Sequence, residues 1–450
     1  MLTFQEFMQL AEVKGESAVF EAVKQWKLTE TYRKACIAKE YFDFNNVTIK
    51  NFQKFLYNLK GQKIPDIYSA DYKLRSNFFN DFVVQLSSYM VGNGVFLVNN
   101  YPEAIVNNKQ LLGKNFDNVI YKALDEVQIG GCCFLFWDFD RLRVYSVREF
   151  APLYDENTGA LAAGIRFFRN GETQKFIVYD AEGVQEIILK KGPKGKANIT
   201  VLEKRAYIQE YEYTEADGKQ LVGERNYDGR LPIFVFWYNT QQTRLEGLRE
   251  NIDCYDLIKS GLGSDLDWAS LYWIIKGAGG MSDDVSLAQF IERMKLVKAA
   301  NLPEGAEVES HKIDIPDAAR KNYLEILEND LYRDAHAVNT RKLAQSGNVT
   351  ATAIRFSYQP LDELADAVEM NLLETLQELF DFLGIDDTAT FKRNRIVNIT
   401  EETSTILDAS EYLSGEMIIK KLPFLTPEEV EQALADYKNK NQEQNKAGFQ

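Results

Sequence analysis

The sequence TRLEGLRENIDCYDLIKSGLGSDLDWAS, residues 243–270, decides the fold because it is a long amphipathic helix pattern with no obvious stop signal. Its apolar residues recur at helical spacing. They are Leu245, Leu248, Ile252, Tyr255, Leu262, Leu266 and Ala269. A second helix pattern covers 316–338, and the polar turn NTRKLAQSGNVTATA at 339–353 opens a third helix that continues to about Gly384. This order predicts two antiparallel helices that are joined at one end by an exposed loop.

The segment 271–315 predicts a small α/β lobe between the first two helices. It begins as a strand, SLYWIIKGAGG, continues as a helix, DVSLAQFIERMKLVKAAN, and ends as a strand, AEVESHKIDI. Two antiparallel helices with a compact insert at one end and an exposed loop at the other form an elongated subunit. Such a shape fits a ring around a channel better than an enzyme with a pocket.

The rest of the chain predicts an α+β fold. Residues 1–60 carry apolar side chains at helical spacing, and further amphipathic helices are predicted at 74–92 and 115–131. From 132 to about 238 the period changes to short β-rich runs separated by turn signals, which predicts an antiparallel β region. The C-terminal segment 400–450 is again helical in pattern.

The charge balance argues against a protein that grips nucleic acid. The chain has 450 residues, with 52 basic and 67 acidic side chains and a net charge of −15. A protein that holds DNA phosphates is usually basic. An acidic wall repels phosphate and keeps adhesion low, which would suit a conduit through which nucleic acid passes without being held.

Other classes of protein are excluded by what the sequence lacks. It has no run of 18 apolar residues, so no transmembrane helix is expected, and its first residues are unlike a signal peptide. The four cysteines have no CxxC spacing, which indicates buried, reduced thiols of a cytosolic product. They are Cys36, Cys132, Cys133 and Cys254. With only His311 and His336 in the chain, a histidine-built metal site and a Ser/His/Asp or Cys/His catalytic arrangement are not expected.

No motif predicts a cofactor. A Walker A loop, GxxxxGK[ST], is absent, and GPKGK at 192–196 is better interpreted as a solvated basic hairpin than as a phosphate contact. The acids of FWDFD, Asp138 and Asp140, are the residues that a Mg²⁺-dependent nuclease would use. Their simpler interpretation is strand-end residues at a hairpin turn, and Asp283-Asp284 is better interpreted as a helix N-cap.

The order of these segments resembles the portal proteins of tailed bacteriophages, the siphovirus-type ring that forms the connector at one capsid vertex. The resemblance extends from about residue 30 to about 440, through a series of steps rather than one diagnostic motif. The steps are KEYFDFNNVTI (39–49), SNFFNDFVVQLSSYMVGNGV (76–95), IGGCCFLFWDFDRLRVYSVREFAPLYDENTGALAAGIRFF (129–168), GRLPIFVFWYN (229–239), ENIDCYDLIKSGLGSDLD (250–267), Ser346-Gly347 and LSGEMIIKKLPFLTPEEVEQAL (413–434). Where the family often has Ser-Gly-x-Ala-Leu, this chain has SGNVTATAIRF.

The resemblance implies a portal fold with named regions. A helical and β wing would cover 1–240, with 365–399 returning to it. The other regions would be two stem helices (243–270 and 316–338), an α/β clip (271–315), a tunnel loop (339–353), a long helix (354–384) and a helical crown (400–450). Pro360 lies inside the long helix and predicts a kink or a restart there.

The resemblance also implies three groups of site residues. The tunnel loop would face DNA through Asn339, Thr340, Arg341, Lys342, Gln345, Ser346 and Asn348. The acidic channel wall would include Glu246, Glu250, Asp253, Glu325 and Glu328. Docking candidates on the clip are Trp273, Lys276, Asp283, Asp284, Glu292 and Arg293. Of these, Arg341 and Lys342 are expected to contact phosphate, with pairing to acids of a neighbouring subunit as the alternative.

By the same resemblance, the chain would be a non-enzymatic ring, typically dodecameric, at the capsid portal vertex, made in the host cytoplasm. It would start capsid assembly, pass double-stranded DNA during packaging and ejection, and join head to tail. Its partners would be the terminase large subunit, a head-completion adaptor and the major capsid and scaffold proteins, with no membrane and no cofactor. Two alternatives stay open: another virion structural protein, and a Mg²⁺-dependent enzyme that processes nucleic acid.

Overall fold

The computed structural model describes most of the 450-residue chain. The described residues are 2–57, 61–66, 69–99, 108–191, 197–214, 218–268, 272–276, 307–311, 317–345, 351–394, 399–422, 425, 429–430 and 432–438. The helix predicted inside 271–315 and the N-cap predicted at Asp283-Asp284 lie outside these residues. The same holds for the turn GPKGK at 192–196.

The chain divides into two compact units. Unit 1 contains Met1–Ala35, Phe82–Arg244 and Ala335–Gln450, and unit 2 contains Cys36–Asp81 and Leu245–Asp334. Each unit is therefore assembled from segments that are distant in sequence.

Both units contain helices, and together they give the α+β class that the sequence predicts. The α-helices are α1 (Phe4–Lys14), α2 (Ser17–Leu28), α3 (Glu30–Phe42), α4 (Val47–Asn51), α5 (Phe78–Val91), α6 (Phe116–Gly130), α7 (Arg249–Trp268), α8 (Asp317–Asp334), α9 (Thr340–Gln345), α10 (Ala351–Leu383), α11 (Ile399–Asp408) and α12 (Gly415–Lys421). Single 3₁₀ turns cover Asn108–Leu112, Arg244–Gly247 and Ala409–Glu411. Residues 429–430 and 432–438 are also helical.

The strands form antiparallel sheets. They are β1 (Phe55–Tyr57), β2 (Lys63–Pro65), β3 (Val95–Asn99), β4 (Cys132–Asp138), β5 (Arg141–Ser146), β6 (Phe150–Tyr154), β7 (Leu161–Asn170), β8 (Thr173–Asp180), β9 (Gly183–Lys191), β10 (Ala197–Val201), β11 (Ile208–Thr214), β12 (Gly218–Arg225), β13 (Ile233–Trp237), β14 (Tyr272–Lys276), β15 (Glu307–His311) and β16 (Asp387–Phe391). Sheet orders are β10-β9-β8-β7-β6 and β13-β4-β5, and the strand pairs are β1-β2, β11-β12, β14-β15 and β16-β3. The antiparallel β region predicted for 132–238 is confirmed.

Strand β4 separates the two hydrophobic cores of unit 1. Because side chains alternate across a strand, Cys133, Leu135 and Trp137 enter one core, which also contains α6 and α10. Cys132, Phe134 and Phe136 enter the other core, which is built from α1, α2 and the five-stranded sheet. A strand covered on both faces needs an unbroken apolar run, and this requirement explains CCFLFW.

The cysteines of β4 are packing residues, as the sequence predicts. Both are buried, and burial raises the pKa of Cys132 to about 12. Burial also raises the pKa of Cys133 well above its ordinary value. The thiols therefore stay protonated and unreactive at neutral pH.

The long helix α10 corrects one expectation. It runs from Ala351 to Leu383 as one helix with Pro360 inside it, so of the predicted kink or restart at the proline, the restart does not occur. Leu361, which directly follows the proline, is buried in the first core, and this packing compensates for the backbone hydrogen bond that a proline removes. The helix also begins earlier than expected, because 351–353 were assigned to the loop.

Unit 2 is organised around α7 and α8. The helix that the sequence predicts at 243–270 is α7, which begins at Arg249, after the 3₁₀ turn Arg244–Gly247. The second begins at Asp317 and ends at Asp334, and His336 follows it in the left-handed backbone region with φ of 52°. Leu327 and Leu331 are the buried positions of α8.

Candidate channel and assembly surfaces

The acidic residues of α7 and of the 3₁₀ turn before it divide into an exposed set and a buried set. Glu246 and Glu250 are exposed, as expected of residues that line a wall. Asp253 is different, because its side chain is only 15% exposed and its carboxylate accepts hydrogen bonds from the Tyr41 hydroxyl and, at 2.7 Å, from the Thr48 hydroxyl. Its charge is used inside unit 2, which corrects its selection as a wall residue.

Helix α8 supplies a second acidic surface. Glu325 is exposed and Glu328 is half-buried. The Arg333 guanidinium lies 2.8 Å from the Asp330 carboxylate and 3.0 Å from that of Asp334, so one cation partly compensates two carboxylates. Among the predicted wall residues, Glu325 on α8, Glu250 on α7 and Glu246 in the 3₁₀ turn are the ones with exposed side chains.

Sequence analysis missed a hydrogen-bond ladder between α7 and the extended segment 72–76. The Ser264 hydroxyl accepts from the Tyr72 amide at 3.2 Å, and the Ser260 hydroxyl accepts from the Leu74 amide at 2.9 Å. The Asp256 carboxylate accepts from the Ser76 amide at 2.8 Å.

The ladder has a simple geometric cause. Four helical residues advance about 6 Å, and two extended residues advance about 6.6 Å. Side chains at positions 256, 260 and 264 therefore match the amides at 76, 74 and 72 in antiparallel order. The spacing DxxxSxxxS in α7 is the signal for the ladder in the sequence. The periodicity of apolar residues does not reveal it, because all three of its residues are polar.

Asp256 is the acidic residue of the ladder. It is fully buried, and the Asn46 side-chain amide also donates to it. Burial raises the pKa of Asp256 above its ordinary value, and the hydrogen bonds from Asn46 and Ser76 oppose that effect. This carboxylate positions the segment and has no access to a channel.

The predicted tunnel loop contains the short helix α9. The Lys342 amide donates to the Asn339 side chain at 3.1 Å, so Asn339 caps the helix and is not a free contact residue. Thr340, Arg341 and Lys342 are exposed. Gln345 is described by its backbone alone, and Ser346 and Asn348 lie outside the described residues.

The start of this loop is fixed in unit 1. The Val338 amide donates to the Gln85 side chain at 2.9 Å, and the Gln85 amide group donates to the Val338 carbonyl at 2.8 Å. Val338 is also part of the first hydrophobic core. The basic helix α9 therefore begins from an anchored residue.

A buried arginine connects three chain segments of unit 1. Arg244 is 7% exposed, and it donates to the Phe82 carbonyl at 2.6 Å, the Gln128 side chain at 2.7 Å and the Ala335 carbonyl at 2.6 Å. Phe82, Arg244 and Ala335 are also the residues at which unit 1 begins or ends in sequence. All three acceptors are neutral, and burial lowers the pKa of the guanidinium.

The predicted clip is described in part. Trp273 and Lys276 lie on β14, opposite Ser310 and Glu307 of β15 in the antiparallel register. The other docking candidates are outside the described residues: Asp283, Asp284, Glu292 and Arg293. The pairing of β14 with β15 confirms the strands that the sequence predicts at the two ends of the insert.

The acids of FWDFD lie at a hairpin turn. Asp138 ends β4, Phe139 has a left-handed φ of 57°, and β5 begins at Arg141. The Arg143 guanidinium lies 2.6 Å from the Asp138 carboxylate, so a side-chain cation occupies the position that a metal ion would need. Across the described ranges, no group of three or more His, Cys, Asp or Glu side chains could hold a metal ion.

One small cleft in unit 1 has polar walls and a volume of about 190 Å³. It is lined by Glu30, Thr31, Lys34, Gly130, Gln241, Gln242 and Thr243. Lys34 and Glu30 form an ion pair at 2.7 Å on the same helix. Within the part of the chain that the structure describes, no helix is both long and apolar enough to span a membrane.

Comparison with known proteins agrees with this architecture. Residues 39–446 match the model of the family described as phage portal protein, SPP1 Gp6-like. The chain belongs to this portal family. Portal proteins of this family are structural components of the virion and not enzymes, which excludes the nucleic-acid-processing alternative.

Two curated portal proteins are similar along most of their length. The portal protein of Bacillus phage SPP1 is 22% identical over 426 residues, which cover 86% of this chain and 80% of the relative. The portal protein of Clostridium phage phiCD119 is 24% identical over 389 residues, which cover 81% and 84%.

A solved structure gives a more distant match. A chain of the neck of a native GTA particle, computed with C12 symmetry, is 13% identical with a TM-score of 0.43. The match covers 77% of this chain and 91% of that one.

Proposed function

We propose that copies of this chain close into a ring whose channel passes double-stranded DNA at one vertex of the capsid. The observation that carries the proposal is the family match over 39–446, which covers most of both units and all of the basic helix α9. In this proposal the ring starts capsid assembly, admits DNA during packaging, releases it on ejection and connects head to tail.

Exposed carboxylates of α7 and of the 3₁₀ turn before it form the channel wall in this proposal. Glu250 and Glu246 are the wall residues, because their side chains are exposed. Repeated around a ring, they repel the phosphate backbone over the Debye length of about 8 Å at physiological salt. Weak adhesion allows DNA to move in both directions.

Helix α9 provides the closest approach to DNA. Arg341 and Lys342 are adjacent exposed cations on a helix that starts from the anchored Val338. Two cations per copy, repeated around the ring, give weak phosphate contacts that do not depend on sequence. Pairing of these side chains with acids of a neighbouring copy is the competing role.

The segment 271–315 is the docking face for other virion and packaging proteins in this proposal. The proposed partners are the terminase large subunit during packaging and a head-completion adaptor afterwards, with capsid and scaffold proteins contacting the rest of the ring. Synthesis in the host cytoplasm precedes assembly. These roles require no cofactor of the chain itself, because ATP hydrolysis belongs to the terminase.

Imaging the purified protein, with native mass to count subunits, tests the ring. Rings with a central hole support the proposal, and a monomer that cleaves DNA with Mg²⁺ overturns it. The role of α9 is tested by Arg341→Ala/Lys342→Ala in a DNA packaging and retention assay.

A matched control is available on α8, where Arg320→Ala/Lys321→Ala removes the same two charges. The proposal expects a defect in the α9 variant alone. Equal packaging by the wild type and the α9 variant would contradict a phosphate contact. Loss of the ring itself in the α9 variant would support the pairing with a neighbouring copy.

A further inference from the structure

The segment 47–75 has a charge opposite to that of the rest of the chain. It carries five lysines and one arginine against two aspartates, a net charge of +4, and the remaining residues therefore sum to −19. The total charge of the chain hides this local reversal.

The structure places exposed rings among these lysines. Phe52, Phe55 and Tyr57 are 42%, 47% and 73% exposed. The Lys63 ammonium lies 4.1 Å from the centre of the Phe55 ring, and the Lys73 ammonium lies 5.0 Å from that of Phe52. We call these five residues the basic aromatic surface.

The basic aromatic surface is held in one conformation. Strand β1 pairs with β2 from Phe55 opposite Pro65 to Tyr57 opposite Lys63. The Lys54 ammonium donates to the Ala70 carbonyl at 2.8 Å, and the ladder to α7 fixes 72–76. A preorganised surface loses little conformational entropy when it binds, so the structure is suited to a permanent contact.

A complementary surface lies on α8. Tyr323 and Ile326 are 47% and 53% exposed, and Glu325 lies beside them on the helix. The helix carries five acids against three bases, a net charge of −2. Helix α8 thus exposes apolar side chains among acidic residues. The basic aromatic surface exposes apolar rings among lysines.

We propose that the basic aromatic surface of one copy binds the Tyr323–Ile326 face of α8 in the next copy. The inference rests on the proposed ring, because a closed ring needs two different, complementary surfaces on each copy. Copies of a chain with a net charge of −15 repel one another, so a local region of +4 provides the attraction that brings them into register.

Nucleic acid is the less favoured occupant of this surface. Unit 2, which carries it, has 17 basic and 23 acidic side chains, a net charge of −6. Surfaces that hold phosphate belong to domains with a positive balance. Two of the surface lysines already lie over aromatic rings, an arrangement suited to a protein partner.

Charge reversal in two separate variants tests the inference. The first variant, Lys50→Glu/Lys63→Glu, reverses Lys63 of the basic aromatic surface and Lys50, an exposed lysine of the same segment 47–75. The second variant is Glu325→Lys/Glu328→Lys. Each variant alone places like charges on both sides of the contact, so half-assembly should need roughly tenfold or more protein than the wild type. Lys14→Glu/Lys24→Glu makes the same change of charge at exposed positions of unit 1 and should assemble normally.

An equimolar mixture of the two variants gives the decisive result. Every contact between unlike variants joins opposite charges, so the mixture should form rings in which the variants alternate and the subunit number is even. Mass photometry and native mass spectrometry read this directly. Rings of normal stability from the first variant alone, or no rescue in the mixture, would overturn the inference.

Other outcomes are also informative. If the first variant forms normal rings but loses affinity for a double-stranded DNA probe, the occupant is nucleic acid and the inference is wrong. If even the wild type forms no rings, this assay gives no support to the ring of the proposed function. The inference is then scored by whether the two variants associate with each other more tightly than each does with itself.

Discussion

Removing the Arg244 side chain should destabilise unit 1 far more than its single position suggests. Its guanidinium donates to the Gln128 side chain and to the Phe82 and Ala335 carbonyls, at 2.6 to 2.7 Å. In Arg244→Ala, the Gln128 oxygen and the Ala335 carbonyl lose a charged donor in a buried site, whereas the Phe82 carbonyl lies within α5 and can keep its helical bond.

The magnitude follows from those two acceptors. A buried polar atom left without a partner costs about 1–3 kcal/mol, so two of them give about 4 kcal/mol. Since domains are stable by only about 5–15 kcal/mol, the variant should be close to its unfolding threshold.

Hydrogen exchange and thermal unfolding measure this effect. A local loss of about 4 kcal/mol raises exchange of the protected amides near Phe82 and Val338 by roughly 10³-fold. Arg244→Met tests whether lost volume is responsible, because it fills the space without donating. Arg244→Lys keeps a charge and one or two hydrogen bonds, and should fall between the wild type and Arg244→Met.

Arg249→Ala is the matched control. Its guanidinium is 40% exposed and lies 3.7 Å from the Asp253 carboxylate, so its loss should cost less than about 1 kcal/mol. If Arg244→Ala and Arg249→Ala unfold at the same temperature, the argument from buried acceptors is refuted. If Arg244→Met is as stable as the wild type, the hydrogen bonds contribute nothing net.

Three further variants have definite expectations. Burial raises the folded-state pKa of Asp256 above 3.8. Its contribution to stability is therefore complete below pH 3.8 and is lost as the pH rises through the folded-state pKa. In denaturation experiments at a series of pH values, the stability of Asp256→Asn relative to the wild type should increase over that interval. Gly164→Ala should lower the melting temperature sharply, because its new methyl group would overlap the Phe150 ring. Ser264→Ala should cost about 1 kcal/mol and raise amide exchange at Tyr72, and unchanged exchange there would contradict the ladder.

Apolar periodicity was enough to predict much of the fold. Strand β4 was recognisable because its alternating residues fill two cores, and α10 because its buried leucines repeat at helical spacing. Pro360 misled the prediction, since local propensity predicts a break and tertiary packing of Leu361 on the core keeps the helix continuous. The division into units also escaped prediction, because it joins 36–81 to α7 and α8 through contacts distant in sequence.

The wall residues show why counting charges along a helix is not enough. Asp253 and Asp256 differ from Glu246 and Glu250 by where the structure places segments 41–48 and 72–76, and sequence order does not show this. The exposed acids remain candidates for a channel, and the buried ones hold unit 2 together.

Net charge misleads for the same reason. A value of −15 argues against a DNA-gripping protein, yet it averages over a segment of +4 that carries exposed aromatic rings. Identical acidic copies repel one another, and a local reversal of charge offsets that repulsion within one sequence.

Ring assembly should therefore respond to salt through two opposing effects, an attraction at one contact and a general repulsion between copies. Added salt should weaken the attraction between the basic aromatic surface and α8. It should also weaken the general repulsion between copies. Ring yield should therefore pass through a maximum as the salt concentration increases. Ring yield measured against ionic strength for the wild type and for Lys50→Glu/Lys63→Glu separates the two effects: the variant, which has only repulsion at this contact, should show a steady rise without a maximum.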